Sequence, residues 1–168
     1  MGAGKTAIGR ELARLLTREF FDSDQEIVRR TGADIPLIFE KEGEVGFRRR
    51  ERQVIEDLTR TPNIVLATGG GAVLDPVNRE CLQTRGFVIY LKTSVAAQLI
   101  RTARSGRRPL LATPDREARL QELYETRAPL YAGLAQLTVN TDQGPVRTLA
   151  EQILQELRAA AIIAPSKP

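Results

Sequence analysis

Met1-Gly2-Ala3-Gly4-Lys5-Thr6 carries the second half of the phosphate-binding pattern G-x-x-x-x-G-K-[ST], closing in Gly4-Lys5-Thr6. Each residue type has a task there. Glycines let backbone N–H groups close around phosphate oxygens with no Cβ in the way. A lysine reaches the β- and γ-phosphates, and the threonine hydroxyl is a Mg2+ ligand. The helix that follows turns the positive end of its dipole toward the same anion. The pattern's first glycine would fall two residues before Met1, and no strand precedes the loop. Read alone, these six residues fit a helix start as well as a phosphate cradle.

From Thr6 to about Thr17, Ile8, Leu12, Leu15 and Leu16 recur at helical spacing, which predicts an amphipathic helix leaving the loop. Residues 19–21 form a short extended run ending in Asp22-Ser23-Asp24. Acidic residues at the C-terminal end of a strand sit where open α/β sheets bind ligands. Residues 25–31 read as helix, stopped by Gly32. Two more helical stretches follow at 35–41 and 44–59, the second burying Val54, Ile55 and Leu58. Residues 64–68 are a continuous apolar run, the mark of a strand buried on both faces, and they end in Gly69-Gly70-Gly71. Such a turn lets something approach the backbone closely.

A helix near 76–84 leads to the next buried strand at 87–91, and Ser94 caps a helix running to about Arg104. Gly, Pro and charge from Ser105 to Pro114 read as a loop, followed by a helix over 115–132. Residues 137–139 are the last strand, 142–145 a turn, and 146–162 the final helix before a loose tail. Strands alternating with helices imply a parallel sheet covered on both faces.

Composition narrows the chemistry. At 168 residues the chain is one domain with room for a proper core. No apolar run approaches the roughly 18 residues of a membrane span. With no histidine, the commonest general base and transition-metal ligand is missing, and Cys81 alone builds neither a zinc site nor a disulfide framework. A net charge of +4 suits nucleic acid or small anionic ligands. The few aromatics (3 Tyr, 5 Phe, no Trp) give no stacking platform for bases, which argues against nucleic acid.

Five fragments in one order, MGAGKT, FFDSD, EVGFRRRE, TGGGAV and RRPLL…ETRAPLY, closely resemble shikimate kinase from Met1 to about Leu157. That family phosphorylates the 3-hydroxyl of shikimate with ATP. The resemblance implies a three-layer α/β P-loop kinase fold with a parallel sheet in the order 2-3-1-4-5. It implies one kinase domain over 1–162, with a shikimate-binding region near 25–60, a lid near 104–116 and a tail at 163–168. Gly2, Ala3, Gly4, Lys5, Thr6 and Ala7 match the family's ATP cradle, joined by Arg101, which packs on adenine, and Gly144 of the turn that completes that pocket. Thr6 and Asp22 match the Mg2+ ligands. Asp24, Arg48, Gly69, Gly70, Gly71 and Arg127 match the shikimate contacts, the two arginines gripping the carboxylate. Lys5, Asp24 and Arg108 take the catalytic roles, with Arg108 as the lid arginine over the transferring phosphate. The resemblance also implies a cytoplasmic monomer with no membrane or nucleic-acid partner, or a plastid enzyme whose transit peptide has been lost.

Without that order of fragments the same residues read differently. Arg48-Arg49-Arg50 is an ordinary solvated helix face, Asp22 and Asp24 are helix caps, and Arg127 complements a helix dipole. A gluconate-type or nucleotide-type kinase shares the fold, and a non-catalytic ligand-binding form stays open. The family's first strand lies mid-sheet, and only four strands are found here. The strands at 64–68 and 87–91 are therefore expected to flank an empty slot. Met1 is expected to be an internal methionine preceded by about ten residues, in line with a typical strand length.

Overall fold

The computed structural model describes residues 2–103 and 115–163. Arg108, most of the expected lid and all but Ile163 of the expected tail region lie outside the described residues. Helix α1 (Lys5–Leu16) leaves the opening loop, and β1 (Glu19–Asp22) runs directly into α2 (Ser23–Thr31). The Asp22 carboxylate caps α2 by accepting from the Asp24 and Gln25 N–H groups, and Gly32, in a left-handed conformation, ends it.

Helix α3 (Ile35–Leu58) starts on Asp34, whose side chain accepts from the Leu37 N–H. The two helical stretches expected at 35–41 and 44–59 are its two arms, broken at Gly43 with φ 67° and ψ −175°. A side chain is excluded from that backbone region, so glycine permits the kink. Arg50 bridges it by a forked ion pair to Glu42 at 2.6 and 2.9 Å.

Strand β2 (Ile64–Ala67) ends at the glycine turn, which leads through a 3-10 turn (Ala72–Leu74) to α4 (Pro76–Arg85). Then come β3 (Ile89–Lys92), α5 (Val95–Thr102) capped by Ser94, α6 (Arg116–Leu134) capped by Asp115, β4 (Leu137–Asn140) and α7 (Val146–Ala159).

The strands form two parallel pairs. β1 lies on β2 with Glu19 opposite Ile64, and β3 lies on β4 with Ile89 opposite Leu137. Among the described residues β2 and β3 are not hydrogen-bonded to each other. A cavity of about 640 Å3 runs along both strands, lined by Ile8, Leu12, Val65, Ile89 and Ile153 among others. The expected slot is thus present as a gap between two half-sheets.

Side chains alternate across the strands, as the period of two requires. Val65, Ile89, Leu91, Leu137 and Val139 face one layer made by α1 and α7, where Ile8, Leu12, Leu149, Ile153 and Leu157 are buried. Phe21, Ile64 and Leu66 face the other layer and pack on Ile27, Ile38, Phe47, Val54 and Leu58 of α2 and α3. The α1–α7 layer is what spans both half-sheets. Among the described residues no helix is long and apolar enough to cross a membrane.

Charge ties α2 to α3. Glu26, 7% exposed, takes ion pairs from Arg29 and Arg30 at 2.7 Å each, and Arg30 continues to Asp57 at 2.6 Å. The hydrogen bond from Arg29 leads in pulling the Glu26 carboxyl down from 4.5 to about 2, against the opposing push of burial.

Two outcomes follow from these features. A carboxylate whose folded value is depressed stabilises the fold above its unfolded value near 4.5 and loses that contribution as pH falls toward 2. Urea titrations between pH 5 and 2 are expected to show a shallower acid loss for Glu26→Gln than for the parent chain. Gly43→Ala is expected to cost about 1–3 kcal/mol in the same assay, since a methyl group there would meet open space and only the backbone is strained.

Candidate active site

The functional groups gather where the parallel strands end. Gly2 and Gly4 have φ of 69° and 81°, turning the chain tightly into α1, whose first helical bond is Ile8 N–H to the Gly4 carbonyl at 2.9 Å. No side chain caps this helix start, so the N–H groups of the first turn face outward as an anion cradle. Thr6 Oγ1 donates to Asp22 Oδ2 at 2.7 Å, bringing together the two expected metal ligands. Asp22 therefore serves as helix cap with one oxygen and as partner of Thr6 with the other. A hydroxyl and a carboxylate beside a phosphate cradle fit Mg2+, which takes few protein oxygens and keeps water and phosphate as its other ligands. Among the described residues no cluster of three acidic, His or Cys side chains offers a fuller cage.

A second group forms around the Gly69-Gly70-Gly71 turn. Arg48, on α3, donates to Glu51 Oε2 at 2.6 Å and to Glu44 Oε1 at 2.9 Å. Glu51 is fully buried, and among the described residues its Oε1 has no hydrogen-bond partner. Burial pushes the Glu51 carboxyl up, and the charge and hydrogen bond of Arg48 pull it partway back. For Arg48, burial acts against the charge, but Glu51 and Glu44 outweigh it and the net shift is upward.

The glycines are a matter of space. A Cβ on Gly71 would stand 2.3 Å from both terminal nitrogens of Arg48. On Gly69 it would meet Glu51 Oε1 at 2.6 Å and Asp24 Oδ1 at 2.8 Å. On Gly70 the nearest atoms are Tyr131 Oη at 3.4 Å and Arg127 Nη1 at 3.7 Å. Arg127 sits inside α6, 6% exposed, so it is no terminal charge complementing a helix dipole. Arg48, Asp24 and Arg127 thus converge on one turn from three helices. Gly69 spends its own N–H on Ser23 Oγ at 3.0 Å.

On the far side of the phosphate loop, Arg101 donates to the Gly2 carbonyl at 3.2 Å and to the Thr141 and Asp142 carbonyls at 2.5 and 3.3 Å. It fastens the turn that contains Gly144 (φ 101°) to the opening loop. Lys5 and Ala7 lie in the first turn of α1. Arg108 lies outside the described residues.

Glu51, Ser23 and Tyr131 were not singled out by the sequence reading. Glu51 did carry a signal: it falls in the stripe of Phe47, Val54, Ile55 and Leu58, where a charge is out of place. Tyr131 lies one helical turn beyond Arg127, and its hydroxyl donates to the Gly70 carbonyl.

A glycine-rich helix start with a hydroxyl and a carboxylate beside it, and two arginines around a glycine turn, suit a small-molecule kinase of the P-loop type. The chain matches the shikimate kinase family over residues 1–158, and it belongs to that family. It is 58% identical to the shikimate kinase of Acinetobacter baylyi over 155 residues, 92% of this chain and 86% of the relative. Against the shikimate kinase of Burkholderia lata the identity is 54% over 164 residues, 98% of this chain and 89% of the relative. The solved shikimate kinase of Acinetobacter baumannii, in complex with shikimate, superposes with a TM-score of 0.94 at 54% identity, covering 97% of this chain and 91% of that one. The enzyme of Aquifex aeolicus shares the fold at a TM-score of 0.83 and 34% identity, covering 96% and 94%.

The glycine contacts separate two substitutions that look alike in sequence. Gly71→Ala is expected to push Arg48 off Glu51 and to lower stability by about 3 kcal/mol, because a buried carboxylate loses its cation. Gly70→Ala, whose Cβ would make ordinary contact with Tyr131 Oη at 3.4 Å and whose φ is outside the left-handed region, is expected to stay within about 1 kcal/mol. Chemical denaturation of both variants checks the contrast.

Proposed function

We propose that the chain transfers the γ-phosphoryl group of ATP to the 3-hydroxyl of shikimate, giving shikimate 3-phosphate and ADP on the route to aromatic amino acids. The observation that carries this reading is the convergence of Arg48 and Arg127, from different helices, on either side of Gly70 and Gly71. Two guanidinium groups in a half-buried pocket suit a carboxylate, which each can grip with a pair of charge-assisted hydrogen bonds. The hydroxylated ring then lies beside Asp24, whose carboxylate orients the ring hydroxyls. With no histidine in the chain, Asp24 is also the group that accepts the proton of the attacking hydroxyl.

The opening loop from Gly2 to Ala7 binds the phosphates of ATP, with Lys5 on the β- and γ-phosphates. Thr6 and Asp22 would hold Mg2+, which when bound neutralises charge on the phosphate oxygens. Arg101 and the Gly144 turn form the adenine end. Arg108 is assigned the closing contact on the transferring phosphate by its place in the R-R-P-L-L motif. The 104–116 segment then excludes water from the γ-phosphate, and 25–60 is the region that receives shikimate. Phosphoryl transfer asks for alignment and charge stabilisation more than for a strong base, and this residue set supplies both. The bacterial relatives support a cytoplasmic location, and with it we take the chain as a single-domain monomer without a nucleic-acid or membrane partner.

An ADP-release assay with shikimate, gluconate and a nucleoside monophosphate tests the proposal, with turnover expected on shikimate alone. Arg48→Ala and Arg127→Ala should each weaken shikimate binding about ten- to a hundredfold, while ATP binding changes by only a few fold. Near-normal shikimate saturation in both variants would remove the carboxylate assignment.

A further inference from the structure

The glycine turn raises a mechanical problem. Three consecutive residues without side chains leave their peptide planes free to rotate, yet the turn must hold one face toward the pocket. The bonds around it show how each plane is fixed. The Gly69 N–H donates to Ser23 Oγ, which sets the 68–69 plane. The Gly69 carbonyl accepts from the Ala72 N–H at 3.2 Å and the Gly71 carbonyl from the Leu74 N–H at 3.0 Å, which set the 69–70 and 71–72 planes. The 70–71 plane is set by Tyr131, whose hydroxyl donates to the Gly70 carbonyl from α6.

A peptide unit is planar and trans, so its C=O and N–H point in opposite directions. Holding the Gly70 carbonyl toward Tyr131 turns the Gly71 N–H the other way, on a residue where a Cβ would collide with the Arg48 guanidinium. The Tyr131 ring is itself held, stacked on Tyr90 of β3 with centroids 5.0 Å apart. Burial pushes its phenol up from 10 against the pull of the Arg127 charge and hydrogen bond, so the hydroxyl stays a donor at neutral pH.

We propose that Tyr131 is a positioning residue that locks the Gly70–Gly71 peptide plane, and so fixes the face of the glycine turn that receives shikimate. The inference rests on the reading of Gly69–Gly71 and Arg127 as the shikimate pocket. It makes α6 a double contributor, supplying a guanidinium from Arg127 and, one turn later, the bond that shapes the backbone beside it.

Calorimetric titration of shikimate and of ATP into the full chain and three variants tests it. Tyr131→Phe keeps the ring and loses the hydroxyl, Tyr131→Leu loses both, and Arg127→Ala reports on the pocket itself. Tyr131→Phe and Tyr131→Leu are expected to weaken shikimate alike, about three- to tenfold, with ATP affinity within about twofold. Only the leucine variant should melt well below the parent, because it alone gives up the ring stack. Shikimate affinity unchanged in Tyr131→Phe but lowered in Arg127→Ala overturns the lock and leaves the pocket standing. A loss that follows the melting temperature, far larger for leucine than for phenylalanine, also overturns it by making Tyr131 a packing residue. Unchanged shikimate affinity in Arg127→Ala as well removes the pocket reading, and the lock with it.

Discussion

A carboxylate sealed from water has to keep a cation, and Glu51 keeps Arg48. The pair is 2.6 Å apart, with Glu51 fully buried and the Arg48 side chain 19% exposed. Removing the cation from such a pair is costly, so Arg48 has one place to be. That place lies against Gly71, where a methyl group would occupy the same space. The glycine turn, the second arm of α3 and the Arg48 guanidinium are therefore one unit. Gly43 lets α3 bend before that arm, and the Arg50–Glu42 fork sets the bend.

The two halves of the site are organised by different means. At the phosphate end, backbone does the work: an uncapped helix start, two left-handed glycines and a Thr6–Asp22 bond. At the other end side chains do it, with α3 and α6 each lending an arginine to a turn that has no side chains of its own. Parallel strands explain why both ends share one edge. Asp22 ends β1, and the glycine turn follows closely on the end of β2.

Local signals in the sequence carried most of this. Apolar runs at 64–68 and 87–91, the cap at Ser94 and the stop at Gly32 place elements nearly where they lie. The break at Gly43 was readable as two helical stretches because the periodicity lapses there. Long-range electrostatics was not readable in the same way. Arg48 in a run of three arginines looks like solvated surface until Glu51 is seen to be buried beside it. Tyr131 closes the fragment ETRAPLY, yet an aromatic on a helix is usually core, and the partner of its hydroxyl is a carbonyl 61 residues away. The gap between the half-sheets follows from the family's strand order and from no residue in particular.

The layer that spans the two half-sheets has a consequence for how the molecule opens. Between β1 and α4 the chain builds cores of its own, around Ile27 and Val54 on one side and Ile55 and Cys81 on the other. The remaining cluster has no such independence, because it joins α1 near one end of the described chain to β4 and α7 near the other. Closing that contact orders nearly the whole length of the polypeptide, an entropic cost that a local core does not bear. Amide exchange should therefore divide the protein into two cooperative units, with α1 opening together with β4 and α7 although it adjoins β1 in sequence. The phosphate loop, being the start of α1, would share the fate of the far end of the chain.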